Sequence, residues 1–364
     1  MSLFNFGALN SFLGRGSASI TVPTLDGAFR PNDVLESAAV FAEIPSADTL
    51  AFANGRFLLS AGNQVLELKE NSAQAIATFD SAITAFAAND DSFAVGLESG
   101  EVVVVGGDHD GTRFTDAEGK SLKCPTALYF KGDRLIVADG SDRTAPDDWA
   151  RDLLERNSRG RVISFDLASG QQNLLASGVA YANGLAETVA GGIVVSQSWR
   201  HCISPTNNLR EDASLCHNLP GYPSRISAAP DGGYWLAIFG MRTQLIEFIL
   251  RENKYRKEML DNVPPEYWIA PSLVSREHFL DPMQQGAVKQ LGIKKPWAPP
   301  RSYGLVAKLD RDFRPQYSLH SRVGGICHGV TSALEVDGTL YVVAKGAGQV
   351  LTIDLATVEK EIVQ

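Results

Sequence analysis

Positive charge, cysteine and long apolar runs are all scarce in this chain, and each scarcity removes a class of function. With 33 Lys and Arg against 42 Asp and Glu, the formal net charge is −9. Nucleic acid backbones are bound by clustered cations, so this balance argues against nucleic acid as a general partner. Four cysteines (Cys124, Cys202, Cys216 and Cys327) are too few to staple 364 residues, and none has the paired spacing of a zinc site. No run approaches the ~18 apolar residues of a membrane-spanning helix. The opening stretch MSLFNFGALNSFLGRG has no basic start before an apolar core, which predicts a cytoplasmic chain with reduced thiols and no export signal. A G-x-S-x-G nucleophile elbow, an H-E-x-x-H zinc motif and a G-x-x-x-x-G-K-[ST] phosphate loop are also missing, which removes the serine-hydrolase, zinc-protease and P-loop readings.

What is present is a short phrase repeated six times. Each copy has a small polar residue, the start of an apolar strand, a tight turn and a second β-rich run. The copies start at Asp48, Thr84, Thr126, Asn183, Ser224 and Thr331. When the apolar residues after the turns are aligned (Phe57, Phe93, Leu135, Ile193, Tyr234, Leu340), the polar residue lies nine or ten positions upstream in every copy. Six such units predict an all-β fold, a six-bladed β-propeller, with the polar residues ringed around its central channel. The hydrophobic share of 44% supplies a globular core, and repetition along the whole length argues for one domain over 1–364.

Residues 1–34, rich in Gly, Ser, Asn and Pro, read as a lead-in. Residues 35–44 are expected to pair with the blade built from 333–358, which would close the ring and cover a sheet edge. Copies are spaced 36 to 57 residues apart as far as Ser224, but 107 residues then separate Ser224 from Thr331. This gap predicts a helical cap over 243–302, inserted between blades five and six. Its first part, 243–262, suits a surface helix with Arg251, Lys254, Arg256 and Lys257 on a solvated face or meeting a partner. Its Trp268 and Trp297 are candidates for an aromatic lid over a ligand or for packing the cap onto the propeller. A smaller excursion at 142–160 offers Asp147 or Asp148 as a helix N-cap.

The segments YANGLAE, NLPGYPSRISAAPDGGYWLA, YGLVAKLDRDFRPQYSLHS and LEVDGTLYVV resemble the strictosidine synthase-like family of six-bladed propellers, related to gluconolactonase and paraoxonase. The resemblance covers roughly residues 45–358 and implies a small-molecule enzyme acting in the channel. Metal-dependent relatives hold a divalent cation, commonly calcium, on a Glu, two Asn and an Asp. The matching positions here are Asp48, Thr126, Asn183 and Ser224. Only Asn183 is retained, Asp48 is a shortened acid and the rest are hydroxyls, which implies at most a weakly held calcium on Asp48 and Asn183. Strictosidine synthase relies on a Glu at the start of the last blade. Thr331 or Ser332 stands there in this chain, and neither hydroxyl can accept a proton as a carboxylate does.

Hydrolysis of a lactone or ester-like substrate is therefore the first expectation. A metal-free lyase or condensing enzyme and a non-catalytic small-molecule-binding propeller are the alternatives. In the hydrolytic reading Asp48 and Asn183 place a water or a weak cation. His328, beside Thr331, moves protons because imidazole titrates near neutrality; the alternative is that it bonds a loop carbonyl. Asp48 could instead pair with Arg225 across the channel. Thr331 is a candidate catalytic hydroxyl, and Thr84, Thr126, Ser224 and Arg225 are candidate substrate-binding groups. The hydroxyls could instead satisfy backbone groups, and Arg200 or His201 could address an anion. No nucleic acid partner and no membrane span are expected, and the oligomeric state stays open.

Overall fold

The computed structural model describes residues 22–69, 72–274, 289–290, 293–294 and 301–362. Six antiparallel sheets stand around a central channel, five with four strands and the fourth with three. The innermost strands are Ala47–Ala53, Ile83–Ala88, Pro125–Lys131, Ala182–Glu187, Gly221–Ala228 and Val330–Val336. Each packs against the next, and the last returns to the first, so the ring is closed. All six repeated polar residues lie near the starts of these strands, as the alignment of the copies predicts.

Local chemistry explains the hairpins. Asn54-Gly55 and Asp337-Gly338 both hold positive φ at their two residues, the twist that a two-residue turn needs between right-twisted strands. At Gly184 the constraint is one of space. A Cβ there would come within 2.2 Å of Ser224 O on the next inner strand. The Asn183-Gly184 pair thus has a packing reason independent of chemistry. Second strands are buried on both sides; Tyr234–Met241 is buried at every residue.

The ring closes as expected. Ala39–Glu43 pairs antiparallel with Gln349–Asp354, Ala39 opposite Thr352 and Glu43 opposite Gln349, and so covers the outer edge of blade six. The preceding segment is pinned by Asn32, which donates to Ser318 O at 2.8 Å and accepts from His320 N at 3.0 Å. Glu36 Oε1 accepts from Ile326 N and Cys327 N at 2.9 and 2.8 Å.

The insertion departs from the expected place. Tyr234–Met241 pairs with Gly304–Leu309, which pairs with Pro315–Ser321, so the cap separates the second and third strands of blade five. It does not lie between blades five and six. The repeated phrase marks only the first hairpin of each blade, and an insertion anywhere after that hairpin lengthens the same gap. Within the cap, 243–262 forms two helices, Gln244–Arg251 and Asn253–Asn262, and Thr243 caps the first by accepting from Ile246 N at 3.2 Å. In the smaller excursion Asp148 stands at the N-cap of the helix Trp149–Leu154, without a side-chain capping bond.

Candidate functional site

All six repeated polar residues line one cavity of about 530 Å³ at the channel end where the inner strands begin. Its floor is a charged cluster. Asp48 Oδ2 accepts from Arg225 Nη2 at 2.5 Å, and Asp48 Oδ1 accepts from Lys345 Nζ at 2.7 Å. Arg225 also donates to Thr84 O at 2.9 Å. Burial works to raise the Asp48 carboxyl, but the Arg225 and Lys345 cations prevail and hold it below the usual aspartate range. The pairing of Asp48 with Arg225, one of the readings open from sequence, is the arrangement present.

Most of the ring hydroxyls clasp neighbouring blades. Thr84 Oγ1 donates to Pro125 O at 2.7 Å, Thr126 Oγ1 to Ala182 O at 2.5 Å, and Thr331 Oγ1 to Asp48 O at 2.6 Å. Each bond reaches from one inner strand to the next. Between blades four and five the task passes to Ser198, whose Oγ donates to Pro223 O and accepts from Asn183 Nδ2. These hydroxyl hydrogens are committed to backbone, so the three threonines that line the cavity offer a ligand their oxygens and little else.

A second pair of carboxyls belongs to the cavity. Glu98 and Asp147 both line it and are hydrogen-bonded to each other, and Glu98 is raised by burial and by the negative Asp147 beside it. Sequence reasoning missed Glu98 and Lys345, although a signal existed. Glu98 immediately follows the second strand of blade two and Lys345 that of blade six, and Gly62, at the same place in blade one, also lines the cavity. Aligning the second-strand ends as well as the first would have brought both to notice. The wall is aromatic: Tyr181 stacks on Trp199 with centroids 4.4 Å apart, and Trp149 meets Phe239 edge-on at 5.3 Å.

Other expected site residues lie elsewhere. The His328 ring is buried away from the cavity lining. Its Nε2 donates to Arg322 O at 3.1 Å, and its Nδ1 accepts from Ser302 Oγ at 2.8 Å. Both nitrogens are occupied, so the proton-carrying role is corrected to the loop-bonding one. Trp268 is buried and donates from Nε1 to Val263 O at 2.8 Å, packing with Leu154, Ile249 and Met259 inside the cap. It holds the cap together and does not line the cavity. Trp297 lies outside the described residues. His201 is buried, with Nδ1 on Gly221 O at 3.2 Å and Nε2 3.4 Å from Glu247 of the cap.

The donors do not fit a calcium ion. Such a cation takes six to eight oxygens at 2.3–2.6 Å, yet both Asp48 oxygens are engaged by resident cations. Among the described residues no group of three or more His, Cys, Asp or Glu could hold a metal. The weak site expected on Asp48 and Asn183 is filled instead by a guanidinium and an ammonium.

No family model matches the chain. It is 24% identical over 233 residues to the adipocyte plasma membrane-associated protein of Salmo salar, covering 62% of this chain and 50% of that one. It is 28% identical over 126 residues to the protein STRICTOSIDINE SYNTHASE-LIKE 6 of Arabidopsis thaliana, 34% of each chain. The chain is related to the strictosidine synthase-like proteins. The chain spans half or less of the length of those curated relatives. A solved structure from a gluconolactonase family aligns with a TM-score of 0.51 over 87% of this chain and 91% of that one, at 11% identity, which supports the six-bladed fold alone. Among the described residues no helix is long and apolar enough to cross a membrane.

Proposed function

We propose that this chain is a metal-independent hydrolase that opens a lactone or ester-like small molecule in the channel cavity. One observation carries the reading: the Arg225 and Lys345 cations meet at Asp48 on the cavity floor, the place where relatives are expected to hold a divalent ion. Addition of water to a carbonyl puts negative charge on its oxygen. A fixed cation in a partly desolvated site stabilises that charge as a Lewis acid would. Lys345 is suited to this, with 37% of its side chain exposed and one N–H on Asp48.

Glu98 supplies the base. As water attacks the carbonyl carbon, Glu98 takes its proton. The tetrahedral oxyanion then collapses, the bond to the leaving oxygen breaks, and Glu98 returns the proton to that oxygen. Water is consumed and a hydroxy acid, or an acid and an alcohol, is released. Because Glu98 must be ionised and its carboxyl is raised, activity should fall on the acid side at a higher pH than an ordinary glutamate would set.

Titration of released acid from a panel of lactones and aryl esters tests this, with and without a chelator. For any substrate turned over, Lys345→Met and Glu98→Gln should each lower kcat by about 10²-fold, and the chelator should change nothing. Unchanged kcat in both variants would refute the assignment. A propeller that only binds its ligand is the second reading, favoured by the commitment of the ring hydroxyls to neighbouring blades. Condensation by a carboxylate at the start of the last blade finds no support, since Thr331 stands there with its hydroxyl on Asp48 O.

A further inference from the structure

We infer that the cavity floor is an anion site standing where a cation would sit in related propellers, and that its ligand is a small monocarboxylate with an apolar or aromatic ring body. The inference rests on the proposed reading for the role of this cavity, but it concerns binding and does not require turnover.

Charge comes first. Asp48 contributes one negative charge to the floor, and Arg225 and Lys345 contribute one positive charge each, which leaves a surplus of one positive charge. Arg225, 15% exposed, is spent on Asp48 and on Thr84 O, so the surplus sits on Lys345, which lines the cavity with 37% of its side chain exposed. A half-exposed ammonium facing a cavity accepts an anion in a charge-assisted hydrogen bond. Geometry comes second. Among the described residues Lys345 Nζ has one hydrogen-bond partner, Asp48 Oδ1. An ammonium has three N–H groups, which leaves two for a carboxylate.

The rest of the cavity limits what else the ligand carries. Glu98 and Asp147 line the same cavity, so a second carboxylate on the ligand would meet like charge. That restricts the ligand to one anionic group. The wall of Trp149, Tyr181 and Phe239, with Leu273 and Val274, is apolar. Tyr181 is backed by Trp199 and Trp149 by Phe239, which gives ring faces fixed in place for a ring to stack on. The volume of about 530 Å³ falls in the range of small-molecule sites.

Titration calorimetry and thermal shift test the inference, with benzoate, cyclohexanecarboxylate, phthalate and calcium chloride as probes. Benzoate and cyclohexanecarboxylate should bind saturably, phthalate more weakly, and calcium should leave the melting temperature unchanged. Lys345→Met should weaken benzoate at least about tenfold, Lys345→Arg should keep most of the affinity, and Glu98→Gln should narrow the gap between benzoate and phthalate. Lys345→Gln serves as a second neutral variant if Lys345→Met fails to fold. A stabilising response to calcium without one to carboxylates would overturn the inference, as would benzoate affinity unchanged in a folded Lys345→Met protein. If benzoate binds through Lys345 but no lactone or ester is opened, the hydrolytic reading fails and this one stands. If substrate is hydrolysed but carboxylates bind without regard to Lys345, this one fails and hydrolysis stands.

Discussion

Asp48 on blade one accepts a hydrogen bond from Arg225 on blade five at 2.5 Å, across the channel rather than around it. Since Arg225 also donates to Thr84 O on blade two at 2.9 Å, a single guanidinium ties three blades together. The pair is a structural tie as well as the base of the candidate site, and removing its acid has consequences for both.

Asp48→Asn leaves Arg225 and Lys345 facing each other with only a neutral amide between them. Breaking a buried pair from one side costs about 3–5 kcal/mol, so the variant should unfold at markedly lower urea concentration at neutral pH. The Asp48 carboxyl is held below the ordinary range. Its contribution is therefore complete above the unfolded-chain value of about 3.9 and fades as pH falls through the lower folded value. Urea unfolding of both proteins at pH 7 and at about pH 3 should show the gap narrowing in acid. An equal gap at both pH values would show that the charge is not what Asp48 contributes.

The threonine clasps predict stability changes without functional ones. Thr84→Val, Thr126→Val and Thr331→Val each remove one hydroxyl bridge between adjacent blades at nearly constant volume. Each should cost about 1–2 kcal/mol by calorimetry. The three sites sit on different blade borders, so the triple variant should lose close to the sum. Carboxylate affinity should stay near that of the parent. Loss of affinity in the single variants, with stability intact, would restore these hydroxyls as ligand donors.

The ring was legible in the sequence because every copy starts its inner strand with a small polar residue at constant distance from the turn, and that regularity is itself a consequence of the fold. Asp48 beside Arg225 was legible as one of two readings, since both residues fall on inner-strand starts. Lys345 and Glu98 were not, because the phrase aligned first strands and these two follow second strands. His328 shows a different limit. Sequence placed its backbone at the threshold of the last inner strand, correctly, but Gly329, with φ of 64°, turns the chain there and the ring points back toward Ser302 and Arg322. Side-chain direction at a turn has no period to read.

His328 therefore carries a prediction opposite to its first expectation. With both ring nitrogens bonded inside the fold, His328→Asn should lower stability by about 1–2 kcal/mol. It should leave the pH dependence of any turnover unchanged. Loss of an acid limb near neutrality in a folded His328→Asn protein would return the imidazole to the mechanism.

Asp152 connects the excursion between the second and third strands of blade three to the cavity wall, and it predicts a selective effect. Its carboxylate is fully buried and faces four neutral donors. Oδ2 accepts from Ser141 Oγ at 2.5 Å, Asn157 Nδ2 at 2.7 Å and Thr144 Oγ1 at 3.1 Å, and Oδ1 accepts from Trp199 Nε1 at 2.7 Å. Trp199 stacks on Tyr181, and Asp152 shares its helix with Trp149, so the carboxylate fixes two members of the aromatic wall at once. In Asp152→Asn an amide NH₂ must face donors that formerly had an acceptor, which leaves buried groups unsatisfied at about 1–3 kcal/mol each. Melting temperature should fall in consequence, though a purely structural role would produce that too. Only a positioning role predicts discrimination among ligands. Below its melting temperature, the variant should lose more affinity for benzoate, which needs the wall, than for acetate, which needs only the cations of the floor. Equal losses for the two anions would reduce Asp152 to a stabilising residue with no part in shaping the site.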